Sequence, residues 1–225
     1  MPIEKVLTAI LFVLLEGCTW RGIDAPDAHW NTIYQYYRRW CRDGLWERVW
    51  QAVVPTPTSK TVFVDASHMK AHRCALNPEG GREFQALGLT KGGWNTKLHA
   101  AVDRDGVPRA LFLSAGNVAD ISHAQDVLEE AMAAMPVAVA VLDKGYDGDD
   151  LRIWLYEQGI TPCIPSKSNR RAPLPYGKAT YRKRHVVENF FAHLKTFRRV
   201  ATRYDKLAET FFGWVLLAVI VKCGI

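Results

Sequence analysis

The sequence predicts an α/β fold in which a mixed five-stranded sheet is flanked by helices and preceded by a small helical region. After residue 60, short β-branched or apolar runs alternate with longer helical patterns. Residues 1–52 carry helical patterns alone, and the linker 53–60, which contains two prolines, separates them from the first strand. The 225 residues are 48% hydrophobic, so the chain can bury the core of one or two domains.

Three helices are expected in the N-terminal region. The first spans residues 3–16 and ends at Gly17, a residue that readily takes the left-handed conformation of a helix C-terminus. A loop containing Pro26 leads to a second helix at residues 32–40, and a short third helix follows Gly44. The region therefore predicts a compact group of helices.

The second helix has two interpretations. Asn31 or Thr32 would cap its N-terminus, because their side chains accept hydrogen bonds from the first helical N–H groups. Arg38 and Arg39, set among aromatic residues, would suit contact with DNA in the manner of a helix-turn-helix. Equally, the helix would serve as a layer packed on the domain that follows.

Two of the predicted strands end at an aspartate. Asp65 follows a β-branched and aromatic run, and Asp143 follows an apolar run. Taken separately, each is commonly a turn former or the cap of a following helix. The second and third strands form a hairpin across the turn DRDG, whose glycine can take positive φ. The strands are expected at residues 61–64, 94–102, 107–114, 137–142 and 161–165.

Helices are expected between and after these strands. One spans about residues 122–135, with Asp120 as a cap and Pro136 as its stop. Another spans about residues 148–157, with Asp147 as its cap. The order of strands and helices places helices on the faces of the sheet.

A polar stripe is predicted on the helix that follows the last strand. Tyr181, Arg184, Glu188 and Lys195 fall within about 60° of one another at 100° per residue. The opposite face collects Val186, Phe190, Leu194 and Phe197. An ordinary surface ion pair between Arg184 and Glu188 is the alternative, and it would contribute only about 0.2–0.5 kcal/mol.

The spacing of this stripe resembles the C-terminal motif of DDE transposases in the insertion-sequence-four superfamily. The segments LDKGYDGDDLR, around Asp143, and RRVATRYDKLAETF, after Glu188, are similar to insertion sequence family five. The hairpin segment beginning TKGGWNTK is similar to that family as well. The resemblance implies a ribonuclease H-like DDE catalytic domain over residues 61–225. It also implies that Asp65, Asp143 and Glu188 are the catalytic acids and hold Mg²⁺, with Mn²⁺ as a substitute.

The function implied by the resemblance is DNA transposition by a mobile element. Such an enzyme acts as an endonuclease at the inverted-repeat ends of an insertion sequence and joins the 3′ ends to target DNA. Two divalent ions held by carboxylates can activate the nucleophile and stabilise the leaving oxygen. The alternatives are a metal-dependent nuclease of the same fold and a catalytically inactive, element-derived DNA-binding protein. A homodimer or larger synaptic complex with double-stranded DNA is expected.

The resemblance carries Tyr181, Arg184 and Lys195 over as residues that bind the transposon end. Arginine can bind phosphate with two donors, lysine supplies a point charge, and tyrosine can stack on a base. Further expected DNA contacts come from cationic or aromatic residues elsewhere in the chain: Trp94, Lys97, Lys144, Arg198, Arg199 and Arg203.

Positive charge is concentrated in one segment. The formal net charge is +6, yet residues 166–206 carry twelve Lys or Arg and two acids. The rest of the chain is therefore slightly acidic. A basic segment around a candidate metal-binding acid indicates a polyanionic partner, although a solvated charged face is the alternative.

Cysteine use predicts a cytoplasmic protein, and the resemblance implies that it is bacterial and associated with the nucleoid. The five cysteines are odd in number and show no paired spacing, which is typical of reduced thiols. Two apolar runs, Val6–Leu15 and Phe211–Val221, are shorter than the ~20 residues needed to span a bilayer. Both are expected to be buried helices, and no membrane association is expected.

Overall fold

The structure is a computed structural model that describes residues 2–23 and 28–222. The loop predicted at Pro26 lies outside the described residues. The helices run in the order α1 (Ile3–Glu16), α2 (Trp30–Arg42), α3 (Leu45–Val53), α4 (Ala124–Ala134), α5 (Asp149–Glu157), α6 (Lys178–Tyr181), α7 (His185–Leu194), α8 (Arg198–Ala201) and α9 (Ala208–Lys222). The strands are β1 (Thr61–Ala71), β2 (Gly88–Thr90), β3 (Gly93–Asp103), β4 (Pro108–Ala115), β5 (Val139–Val141), β6 (Thr161–Cys163) and β7 (Thr202–Arg203).

The strands form a mixed sheet. Within the described ranges it has seven strands in the order β2-β3-β1-β5-β6, with β4 paired to β3 and β7 paired to β1. Strands β1, β5 and β6 are parallel, whereas β2 and β3 are antiparallel. The predicted mixed sheet flanked by helices is confirmed, and this arrangement is compatible with a ribonuclease H-like fold. The short strands β2 and β7 add to the five that the sequence predicted.

The described residues fall into two compact units, each built from separate segments. The first contains residues of Met1–Val54, Met69–Thr96 and His193–Ile225. The second contains Pro55–His68 and Lys97–Ala192. A boundary near the linker 53–60 was expected, but the N-terminal helices share their unit with later segments, because they bury their apolar faces against α9.

Helix α9 is the centre of the first unit. It is apolar on all sides, as is typical of a fully buried helix, and it contacts α1, α2 and α3. The Tyr37 ring stacks on Trp214 at 4.2 Å between centroids, and the Tyr37 hydroxyl donates to the Thr210 carbonyl at 2.6 Å. The predicted burial of the run 211–221 is confirmed. Helix α1 buries one face only, since Leu7, Phe12 and Leu15 of the first apolar run are exposed.

The core of the second unit lies between the sheet and helices α4 and α5. Val62 and Val64 of β1 pack with Leu128 of α4 and Leu155 of α5. Helix α4 also contacts β4. These apolar contacts fix the strands that carry the two predicted aspartates, and they leave the alternate positions of β1 to face other groups.

Several local predictions need correction. Helix α2 begins at Trp30, and its cap is His29, whose side chain accepts from the N–H of Asn31 at 3.3 Å. Gly148 occupies the cap position of α5, because the predicted cap, Asp147, turns inward to pair with Arg152 at 2.8 Å. No helix in the described part of the chain combines the length and apolar composition needed to cross a bilayer.

Candidate active site

Two aspartates follow the same register pair of the neighbouring parallel strands β1 and β5. Phe63 of β1 is paired in register with Val141 of β5, and Asp65 and Asp143 each come two residues later. The sequence predicted that Asp65 would end its strand, but Asp65 lies within the long strand β1. Parallel strands separated by one ladder spacing of about 4.8 Å bring such side chains close together.

Short backbone contacts hold both carboxylates. Asp65 Oδ1 accepts from the N–H of Ala66 at 2.9 Å, and Asp143 Oδ1 accepts from the N–H of Gly145 at 2.7 Å. The second contact opens a 3₁₀ turn, Lys144–Tyr146, directly after β5. Each carboxylate therefore has a fixed orientation and further lone pairs on its oxygens.

Burial raises the pKa of Asp65, and the negative charge of Asp143 raises it further, whereas Arg184 opposes both effects. A raised pKa means that the free protein places this carboxylate where its negative charge is poorly solvated. A cation at this position would relieve that cost.

Arg184 joins Asp65 to Glu188. Its guanidinium donates to Asp65 Oδ2 at 2.7 Å and also to Glu188 Oε1. The Arg184 side chain is largely buried, with 17% of its surface exposed, whereas Glu188 is 54% exposed. The pair is therefore more than the surface contact that the sequence left as an alternative, because it reaches an acid on β1.

The predicted helix over residues 181–195 is interrupted. Helix α6 ends at Tyr181, a 3₁₀ turn covers Arg182–Arg184, and α7 begins at His185. The break does not separate Arg184 from Glu188, since α7 follows without an intervening loop. Of the predicted apolar face, Phe190 and Leu194 are buried, and Val186 is half-buried.

The three acids do not form a closed cluster. In residues 2–23 and 28–222, no group of three or more His, Cys, Asp or Glu side chains is arranged to hold a metal ion. The reason is visible at Arg184, whose guanidinium lies between the carboxylates of Asp65 and Glu188. Strands β1 and β5 therefore bring Asp65 close to Asp143, and Arg184 connects Asp65 to Glu188.

Three of the cations predicted to bind DNA are buried. The Lys97 ammonium pairs with Asp120 at 2.6 Å, and only 7% of its side chain is exposed. Arg199 is 5% exposed and donates to the carbonyl of Cys18. Arg203 is fully buried, and its guanidinium donates to main-chain and hydroxyl oxygens. These three side chains are therefore not exposed in the free protein, and their role in DNA binding stays a prediction.

The other predicted contact residues have mixed environments. Lys144 is exposed on the turn after Asp143, and Tyr181 is half-buried with its ring edge against Tyr176 at 5.5 Å. Trp94 lies under the guanidinium of Arg82 at 4.5 Å. Lys195 is half-buried, and burial lowers its pKa. Arg198 is exposed.

A buried ionic anchor near Asp143 was not foreseen. Asp147 accepts from Arg152 at 2.8 Å and from Arg170 at 2.9 Å, and from the N–H of Lys167 at 2.8 Å. Although its burial opposes ionisation, these donors lower the Asp147 pKa to about 2. The anchor fixes the basic loop that precedes α6. The sequence analysis had assigned Asp147 to a helix cap, so its pairing with the two arginines was missed.

Comparisons with known proteins show which family the sequence matches. Residues 56–221 match the family described as "Transposase DDE domain", and residues 2–50 match "Putative transposase of IS4/5 family". A similar protein from Brucella ovis, "Putative transposase for insertion sequence element IS6501", is 33% identical over 124 residues, which cover 55% of this chain and 93% of the relative. "Putative transposase for insertion sequence element IS402" from Burkholderia cepacia is 26% identical over 136 residues, covering 57% and 62% of the two chains.

Proposed function

Because the chain belongs to the family of transposases with a DDE catalytic domain, we propose that it cleaves DNA at the inverted-repeat ends of an insertion sequence and joins the 3′ ends to target DNA. The observation that carries this proposal is that Asp65 and Asp143 each come two residues after the register pair Phe63 and Val141, with Arg184 joining Asp65 to Glu188. These are the carboxylates that the sequence motif had singled out.

The donor set fits a hard divalent cation. Asp65, Asp143 and Glu188 would supply carboxylate oxygens, which Mg²⁺ and Mn²⁺ prefer over nitrogen or sulfur ligands. The burial of Asp65 beside a second acid favours a cation at this position. Two bound ions would activate the attacking oxygen and stabilise the leaving oxygen of the phosphodiester.

Arg184 has two roles in this proposal. In the free protein, it neutralises Asp65 and Glu188 and holds Glu188 toward the strand. Once a cation neutralises the two acids instead, the planar guanidinium of Arg184 is available to bind a DNA phosphate through two parallel donors. Arg184 would therefore leave the acids and position the scissile strand.

The proposed DNA-binding surface consists of the exposed cations around this site. Lys144 on the turn after Asp143 and Lys183 and Arg182 beside Arg184 are exposed. Phosphate contacts of this kind set position and make binding strongly dependent on salt, but they carry little sequence information. A homodimer or larger synaptic complex would hold two ends together. This function would place the chain at the bacterial nucleoid.

The test uses a plasmid that carries the two DNA flanks of the coding region, with a second plasmid as the target. Asp65→Asn, Asp143→Asn and Glu188→Gln are compared with the wild-type protein in Mg²⁺. We expect each to lose cleavage by at least about 10²–10³-fold, because each removes one charged ligand, while DNA binding is retained.

Glu129→Gln is the matched control, since Glu129 is also an exposed helical glutamate. It should cleave and join like the wild type. Full activity in any of the three variants would remove that acid from the site. Clean cutting by the wild type without joined products would instead identify a nuclease, and binding without cutting would identify an inactive DNA-binding protein.

A further inference from the structure

Tyr146 has a buried hydroxyl for which the described residues provide no hydrogen-bond partner. The residue is 1% exposed, and its ring is part of the core cluster with Val62 and Val64. Such a hydroxyl destabilises a core, because it has lost its hydrogen bonds to water without gaining others. Phenylalanine would fill the same space without this cost, so the packing of the ring does not explain the oxygen.

The position of Tyr146 is fixed relative to the candidate active site. It ends the 3₁₀ turn that Asp143 opens, and its N–H donates to the Asp143 carbonyl at 3.2 Å. The turn contacts the preceding 3₁₀ segment, Asp120–His123. The tyrosine ring is therefore held by the element that also orients the Asp143 carboxylate.

The negative charges of three aspartates act on this hydroxyl. Burial raises the pKa of Tyr146, and the negative charges of Asp120, Asp65 and Asp143 raise it further, while Arg184 opposes them. The hydroxyl therefore remains a donor. Asp120 is already paired with Lys97 at 2.6 Å, and Asp65 accepts from Arg184. Among the described residues, no acceptor forms a hydrogen bond with the Tyr146 hydroxyl.

We infer that Tyr146 is a positioning residue of the acid site, whose hydroxyl donates a hydrogen bond to an oxygen of the coordination shell that a divalent ion brings to Asp65 and Asp143. This inference rests on the proposed function. Hydrogen bonds to ligand oxygens orient them and adjust how tightly the ion is held. The hydroxyl is thus unpaired in the free protein and becomes paired when the site is loaded.

The experiment measures Mn²⁺ binding without DNA, by electron paramagnetic resonance, in Tyr146→Phe and the wild type. We expect the Mn²⁺ dissociation constant of the variant to rise by about tenfold, the lower end of what such partners contribute. Without metal, the thermal midpoint of the variant should equal or exceed that of the wild type, since an unpaired buried hydroxyl is removed. A lower midpoint would show that the hydroxyl has a partner in the free protein and would overturn the inference.

Tyr37→Phe is the control for loss of a buried tyrosine hydroxyl. That hydroxyl donates to the Thr210 carbonyl at 2.6 Å, in the other unit. This variant should lose thermal stability and bind Mn²⁺ like the wild type. The opposite pattern in the two variants separates a role at the metal site from a role in packing.

Asp65→Asn separates this inference from the proposed function. If Asp65→Asn weakens Mn²⁺ binding while Tyr146→Phe binds within twofold of the wild type, the inference is wrong and the metal site stands. If the wild type binds Mn²⁺ no better than Asp65→Asn, the metal site at Asp65 fails, and the inference fails with it.

Discussion

Arg203 provides the sharpest test of whether a basic residue of this protein stabilises the fold or binds DNA. Its guanidinium is fully buried and donates four hydrogen bonds. The acceptors are the carbonyl of Gln85 at 2.7 Å, the hydroxyl of Thr96 at 2.6 Å, and the carbonyls of Asp205 and Lys206, both at 2.9 Å. Arg203→Met keeps much of the side-chain volume and removes all four donors.

The expected loss of stability follows from these contacts. Four acceptors left without a donor, at about 2 kcal/mol each, would cost about 8 kcal/mol. Burial lowers the Arg203 pKa to about 10, so removing this poorly solvated charge offsets about 3 kcal/mol. We therefore expect Arg203→Met to lower the free energy of unfolding by about 5 kcal/mol, which is a large part of the stability of a typical domain.

Urea unfolding followed by tryptophan fluorescence measures this change, with DNA binding recorded in parallel. Arg73→Met is the control, because Arg73 is an exposed arginine of the same unit. It should change stability by no more than about 0.5 kcal/mol. If Arg203→Met unfolds like the control but loses DNA affinity, the burial argument is wrong and the prediction of a DNA contact is supported.

Two further predictions concern packing and acid stability. In Gly213→Ala the added methyl group would lie 2.4 Å from the Cys41 sulfur. We expect a lower thermal midpoint and a loss of about 1–3 kcal/mol from overpacking; a raised midpoint, as helix propensity alone predicts, would contradict the packing. Burial lowers the pKa of His99 to about 4. The folded protein therefore favours neutral His99. This preference contributes about 3 kcal/mol to the free energy of unfolding above pH 6.5, and the contribution is lost as the pH falls toward 4. Urea midpoints between pH 7 and 4.5 should therefore fall more steeply for the wild type than for His99→Gln, and equal slopes would refute this cause.

Local patterns predicted the elements of the fold well. The end of α1 at Gly17 and the hairpin turn at Gly106 could be predicted because glycine adopts positive φ readily. The φ angles of these two glycines are 66° and 78°. The break before His185 was not readable. No proline or glycine lies between Lys178 and Leu194 to signal it, and the polar stripe continues across it.

The sequence indicates candidate acids more readily than it indicates the environment of the cations. Asp65 and Asp143 could be identified because each follows a strand-forming run, although their placement after one register pair depends on how the two strands align. Charge alone does not reveal whether an arginine faces solvent. Arg203 is satisfied by Gln85 and Thr96, which lie 118 and 107 residues away in sequence. No local pattern predicts such distant partners.

The arrangement of the first unit has a consequence for synthesis on the ribosome. Helices α2 and α3 are made early, but their apolar partner is α9, and the bond between Tyr37 and Thr210 joins residues 173 positions apart. Until α9 emerges, the aromatic side chains of the early helices have no core to enter, and such surfaces promote aggregation in nascent chains. A premature stop before residue 208 would therefore release a polypeptide that exposes Trp46 and Trp50, and it would be a natural substrate for chaperones and proteases.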